Sequence, residues 1–87
     1  MIDKAKQLVC KYVNDHLCPS EPIRITKDDV LVVWYCYILS NSKAMLTTKL
    51  PDGMYYEVTY NSDKDEFYLD AYKKWENQRI AADASDA

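Results

Sequence analysis

Three cysteines and one histidine are the side chains from which this 87-residue chain could build a metal site or an activated nucleophile. His16-Leu17-Cys18 sets two ligand types close together, with Cys10 and Cys36 as further thiols. A structural zinc site needs four such ligands, usually in tightly spaced pairs, and this spacing matches no metal knuckle. The same residues could pair a thiol with a base for nucleophilic attack. No orienting third group can be named, however, and the single glycine leaves no glycine-rich loop to present a nucleophile. The plainer reading makes the cysteines small apolar fillers and His16 a helix-end residue whose charged form meets the helix dipole. No metal and no cofactor is expected, and a small Cys/His enzyme ranks last among the functional readings.

Oxygen ligands offer a second chemistry. Asn61, Asp63, Asp65 and Glu66 alternate along a loop as calcium ligands do, but the central glycine and distant bidentate glutamate of that motif are missing. A polar hairpin turn accounts for them. Asp28-Asp29 similarly reads as the start of an element, or a helix cap, before it reads as a magnesium site. The third chemistry is aromatic: of eight tyrosines, five fall between Lys43 and Tyr72, in alternating runs that imply a sheet.

The elements that position these residues follow from periodicity. Ile2, Ala5, Val9, Tyr12, Val13 and Leu17 recur at helical spacing, predicting an amphipathic helix over about residues 2–17. Pro19 and Pro22 stop it, and Cys18 to Arg24 is a connector, with Ile23-Arg24-Ile25 as a short edge strand. Val30 to Leu39, rich in β-branched and aromatic residues, is a first strand, followed by a turn at Ser40-Asn41-Ser42. Lys43 to Leu50, Met54 to Tyr60 and Glu66 to about Lys73 are three more strands. Between the second and third, Pro51-Asp52-Gly53 holds the only glycine where a tight turn needs positive φ. Tyr72, Trp75 and Arg79-Ile80 also fit helical spacing, so a short C-terminal helix is the alternative to a longer last strand. The predicted fold is α+β: one domain over residues 1–80, an N-terminal helix packed on a four-stranded antiparallel meander, then a frayed acidic tail over 81–87. In element order it resembles the cystatin-like plan.

Strict alternation sorts the side chains into two faces. The helix side takes Val30, Val32, Trp34, Cys36 and Ile38, then Ala44, Leu46 and Leu50. Met54, Tyr56, Val58, Tyr60, Phe67, Leu69 and Ala71 complete it. The other side takes Leu31, Val33, Tyr35, Tyr37, Met45, Thr47, Tyr55, Glu57, Thr59, Tyr68, Asp70, Tyr72 and Lys74. Candidate binding residues on that second face are Tyr35, Tyr37, Tyr55, Glu57, Tyr68, Asp70, Tyr72 and Lys74. A purely solvated face would be more polar. Tyrosine and methionine with few charges fit a protein interface, or rings paired across strands.

Composition narrows the partners. A net charge of −3 and a pI near 5.0 lack the basic excess of a nucleic-acid footprint. On the tyrosine-bearing face Lys74 is the sole base against Glu57 and Asp70, so a base-stacking platform for RNA lacks phosphate partners. Nucleic acid is not the expected ligand. No apolar run is long enough to span a bilayer, and Met1-Ile2-Asp3-Lys4 leads straight into the helix without a signal peptide. Reduced thiols and a cytoplasmic setting are expected.

Asp28-Asp29 before Val32-Val33-Trp34, the block Pro51-Asp52-Gly53-Met54-Tyr55-Tyr56-Glu57-Val58-Thr59-Tyr60, and Tyr68-Leu69-Asp70-Ala71-Tyr72-Lys73-Lys74 carry a family likeness. In these motifs, and in the pattern of the helix Ala5 to Leu17, the chain resembles a family of small uncharacterised proteins. They are encoded by phages and prophages of Gram-positive bacteria. The resemblance implies a setting in the cytoplasm of a bacterial host and supplies no chemistry. The expected function is a non-enzymatic accessory protein that binds a host or phage partner, including a second copy of itself, through the tyrosine-bearing face. The alternative is a nucleotide or small-ligand binder, such as a counter-defence sequestering protein, using the same face.

Overall fold

The computed structural model describes residues 1–16 and 24–83. Helix α1 spans Ile2–His16, with Asp3 in its first turn, where a carboxylate suits the helix dipole, and His16 in its last. Ala5, Val9 and Val13, one turn apart, form its buried stripe. Leu17, Cys18, Pro19, Pro22 and Ile23 lie outside the described residues, and with them most of the expected connector.

Ile25 does not join the sheet as an edge strand. It is buried in the core, and the Asn14 side chain supplies the partner its backbone would otherwise lack. The Ile25 N–H donates to Asn14 Oδ1 at 3.0 Å, and Asn14 Nδ2 donates to the Ile25 carbonyl at 3.0 Å. Cys10 Sγ donates to the same carbonyl at 3.2 Å. A buried main chain needs its hydrogen bonds met, and here a side-chain amide does the work of a neighbouring strand. A single 3-10 turn, Lys27–Asp29, follows. The Asp29 carboxylate accepts the Thr26 N–H at 2.9 Å, and Lys27 meets Asp3 of α1 at 2.8 Å.

Four strands follow: β1 Val30–Ile38, β2 Asn41–Thr48, β3 Met54–Asn61 and β4 Glu66–Lys73. They form one antiparallel sheet in the order β1-β2-β3-β4, the expected meander. Gly53 turns the β2–β3 connection at φ +70°, and Asp52 Oδ1 accepts the Met54 N–H at 3.1 Å in an Asx turn. At the β1–β2 turn the structure departs from the sequence reading. Ile38 pairs with Asn41, so the turn is the two residues Leu39-Ser40, and Asn41 and Ser42 belong to β2. Leu39 adopts φ +56°, a left-handed conformation that costs a branched side chain energy.

The second departure lies within β1. Its pairing slips by one residue between Val32 and Trp34, leaving Val33 in a β-bulge. Before the bulge Val32 pairs with Leu46; after it Trp34 pairs with Met45 and Tyr35 with Ala44. Opposed residues share a face, so every β1 side chain beyond Val33 lies on the side opposite to strict alternation.

The core is small. Ala5, Val9 and Val13 of α1, with Ile25, close over Val30, Ala44, Leu46, Tyr56 and Val58. Tyr12 meets Tyr56 edge-on, with ring centroids 5.7 Å apart. The described residues after β4 form no helix: Lys74 donates its N–H to the Gly53 carbonyl at 2.9 Å, and Trp75 is 96% exposed. The alternative of a terminal helix fails because nothing among the described residues is placed to bury its apolar stripe. Among the described residues no helix is long and apolar enough to cross a membrane.

Candidate functional site: the open face of the sheet

α1 packs on one face of the sheet; no element among the described residues covers the other. The register arranges that open face in four rows across the strands. Leu31, Thr47, Tyr55 and Tyr72 form the first, and Trp34, Met45, Glu57 and Asp70 the second. Cys36, Lys43, Thr59 and Tyr68 form the third; Ile38, Asn41, Asn61 and Glu66 the fourth.

Of the sequence-predicted site residues, Tyr55, Glu57, Tyr68, Asp70 and Tyr72 do share this face. Tyr35 and Tyr37 do not. They pair with Ala44 and Ser42 on the helix side, where Tyr35 Oη donates to Ser42 Oγ at 3.4 Å. The bulge exchanges them for Trp34, Cys36 and Ile38, which were expected under the helix and instead stand on the open face. Lys74 lies one residue past the end of β4, beside Gly53 rather than within a row. The base the face does carry is Lys43. A two-residue turn at Leu39-Ser40 was the signal that would have found these residues. Counting inward from it sets Tyr37 opposite Ser42 and Tyr35 opposite Ala44.

Charge on the face is concentrated at its centre. Glu57 and Asp70 are directly opposed, two carboxylates in a cross-strand pair, an arrangement that costs stability. Lys43 Nζ lies 3.6 Å from Glu57 Oε1 and offsets part of that repulsion. Around this centre stand Trp34, Tyr55, Tyr68 and Tyr72 with Leu31, Met45 and Ile38. Tyr68 donates its hydroxyl to Glu66 two residues away, and that bond, with some burial, holds its phenol above the usual 10.0.

Between the third and fourth rows the face dips into a hollow of about 310 Å³, lined by Cys36, Ile38, Lys43, Thr59, Asn61 and Tyr68. Past the hollow, the end of the sheet is tied. The Ser62 N–H and Oγ–H both donate to the Ser40 carbonyl, at 3.0 and 2.7 Å, linking the β1–β2 turn to the β3–β4 loop.

The metal and nucleophile candidates are scattered. Cys10 is bonded to Ile25, and His16 stacks on Tyr12 at 4.0 Å with Nδ1 against the Tyr12 carbonyl. Cys36 lies on the far side of the sheet from α1, and Cys18 is outside the described residues. Among the described residues no three of His, Cys, Asp and Glu group closely enough to hold a metal ion. Asn61 Oδ1, the first oxygen of the calcium-like loop, accepts the backbone N–H groups of Asp63 and Lys64 at 3.0 and 3.3 Å. Asp65, at φ +53°, accepts the Tyr60 hydroxyl at 2.8 Å. These oxygens shape a turn.

No curated protein and no solved structure matches the chain. A family model does: over residues 2–82 the chain belongs to DUF6275, a family of unknown function.

Proposed function

We propose that the chain is a non-enzymatic binding protein that docks a partner protein on the open face of its sheet. The carrying observation is the gathering of Trp34, Tyr55, Tyr68 and Tyr72, with Leu31, Met45 and Ile38, on a face that no element of the described fold covers. Binding energy concentrates in aromatic anchors of this kind, and a sheet holds their backbone already ordered. The acidic pair Glu57/Asp70 and nearby Glu66 set the chemistry of the partner: an apolar side chain for the hollow and a basic group beside the carboxylates. The likeness to phage and prophage proteins of Gram-positive bacteria supports an accessory role in the host cytoplasm.

The test compares tagged parent with the Tyr55→Ala/Tyr68→Ala double variant in pulldowns from infected cells. A partner held by the parent and lost by a variant with unchanged circular dichroism supports the reading; equal recovery on both overturns it. A second reading draws on the hollow, where Lys43, Thr59, Asn61 and Tyr68 bring polar groups together in a volume near the lower end of small-ligand sites. Native mass spectrometry showing a bound small molecule, lost in Lys43→Ala, would favour it.

A further inference from the structure

The two edges of the sheet are built differently. β4 carries Glu66, Asp70 and Lys73, charges of the kind that guard an edge against pairing with other chains. β1, Val-Leu-Val-Val-Trp-Tyr-Cys-Tyr-Ile, carries no charge and no proline along nine residues. It is apolar on both faces: Leu31, Trp34, Cys36 and Ile38 on the open side, Val32, Tyr35 and Tyr37 on the helix side, all exposed. Such a strand has the composition of one at the centre of a sheet, buried on both sides. It lies at the edge.

We propose that β1 pairs antiparallel with β1 of a second copy of this chain, joining two four-stranded sheets into one of eight. The longest regular stretch beyond the bulge is Trp34–Ile38, and its midpoint is Cys36. The ladder fixes which backbone groups are free. Ile38 and Asn41 flank a two-residue turn and form its hydrogen-bonded pair, so Cys36 also bonds to β2 while Tyr35 and Tyr37 direct their N–H and C=O groups outward. A two-fold axis at Cys36 pairs those groups of Tyr35 with Tyr37 of the other copy. It sets Trp34 against Ile38 on the open side and brings the two Cys36 side chains together in the closer, non-hydrogen-bonded type of pair.

Two observations favour a second copy over any other occupant. The chain has a net charge of −3, yet self-pairing brings no charge opposite its like, because β1 has none. The guarded β4 edge disfavours head-to-tail β1–β4 addition, so the association closes at two. The inference rests on the β1 edge and stands apart from the open-face reading.

The experiment is sedimentation of the full chain across micromolar concentrations, followed by cross-linking. The expected mass is twice the 10.2 kDa of the monomer. Cys36→Lys, a change at an exposed position that sets two ammonium groups face to face, halves the mass while circular dichroism is unchanged. In a Cys10→Ser/Cys18→Ser background, diamide (which takes up the two thiol hydrogens) links the copies through Cys36. With Cys36→Ser and Ile38→Cys added, it does not, because Ile38 faces Trp34. A parent monomeric at 200 µM (chosen well above a micromolar Kd) overturns the proposal. So does a dimer that survives Cys36→Lys and resists diamide. The Tyr55→Ala/Tyr68→Ala variant keeps the dimer, so failure of the partner assay and failure of the dimer are read separately.

Discussion

The two ends of β1 are made of the same kinds of residue and meet opposite fates. Val30 is 2% exposed beneath α1; Ile38, in the same strand, is 64% exposed. Composition does not separate them. Position under the helix does. A helix of 15 residues is about 22 Å long and about 10 Å wide, and it cannot roof a sheet of four strands. α1 shields Val30, Ala44, Leu46, Tyr56 and Val58 and leaves the far half of β1 bare. An apolar run therefore marks a strand, while burial is decided by what packs on it.

The largest expected effect sharpens that contrast. Leu46→Ala, at a fully buried side chain, should cost about 3 kcal/mol in urea unfolding, whereas Ile38→Ala in the isolated monomer should cost under about 0.5. Equal losses at the two sites would break the comparison. Next in size, Gly53→Val should cost about 1 kcal/mol or more, because no β-branched residue sits comfortably at φ +70°; an unchanged melting temperature would contradict this. At the bare end the sign reverses: Leu39→Gly, at φ +56°, should stabilise the monomer by about 0.5 kcal/mol through relief of backbone strain. A lower melting temperature would show that the exposed Leu39 side chain has packing the monomer needs.

The smallest effect is electrostatic. Lys27, by hydrogen bond and charge, holds the Asp3 carboxyl below its ordinary 3.8, and both groups are exposed. A depressed carboxylate stabilises the fold above that value and loses its contribution as pH falls through the folded pKa. Asp3→Asn should lower the melting temperature slightly at neutral pH and low salt. The gap should close in acid below pH 3.8 and at high salt. A gap that persists in acid would assign the effect to something other than the ion pair.

Helix, strand number, meander and the Gly53 turn were legible because each has a local cause: an apolar stripe recurring every three or four residues, alternating runs, one glycine between them. The expected face of β3 and β4 also held, from Tyr55 to Tyr72. What the residues of the strand itself did not show was the phase of β1. Val32-Val33-Trp34 carries no polar residue to mark inside from outside, so a one-residue bulge leaves the pattern unchanged while exchanging Tyr35 and Tyr37 for Trp34, Cys36 and Ile38. The Asn14 clasp on Ile25 was hidden for another reason. It joins residues by a side chain acting as backbone, and no periodicity reports that.

The meander also sets an order of events. Each strand pairs with its predecessor across a short turn, so little chain entropy is lost before the ladders begin to reward it. α1 is different: its partners Leu46, Tyr56 and Val58 arrive tens of residues after it. We expect the hairpins to close first and α1 to dock onto a sheet already made. A late arrival is an early departure, and amide exchange should report α1 opening before β2 and β3 release their hydrogens. The roof that keeps Val30 dry is then less permanent than the sheet it covers.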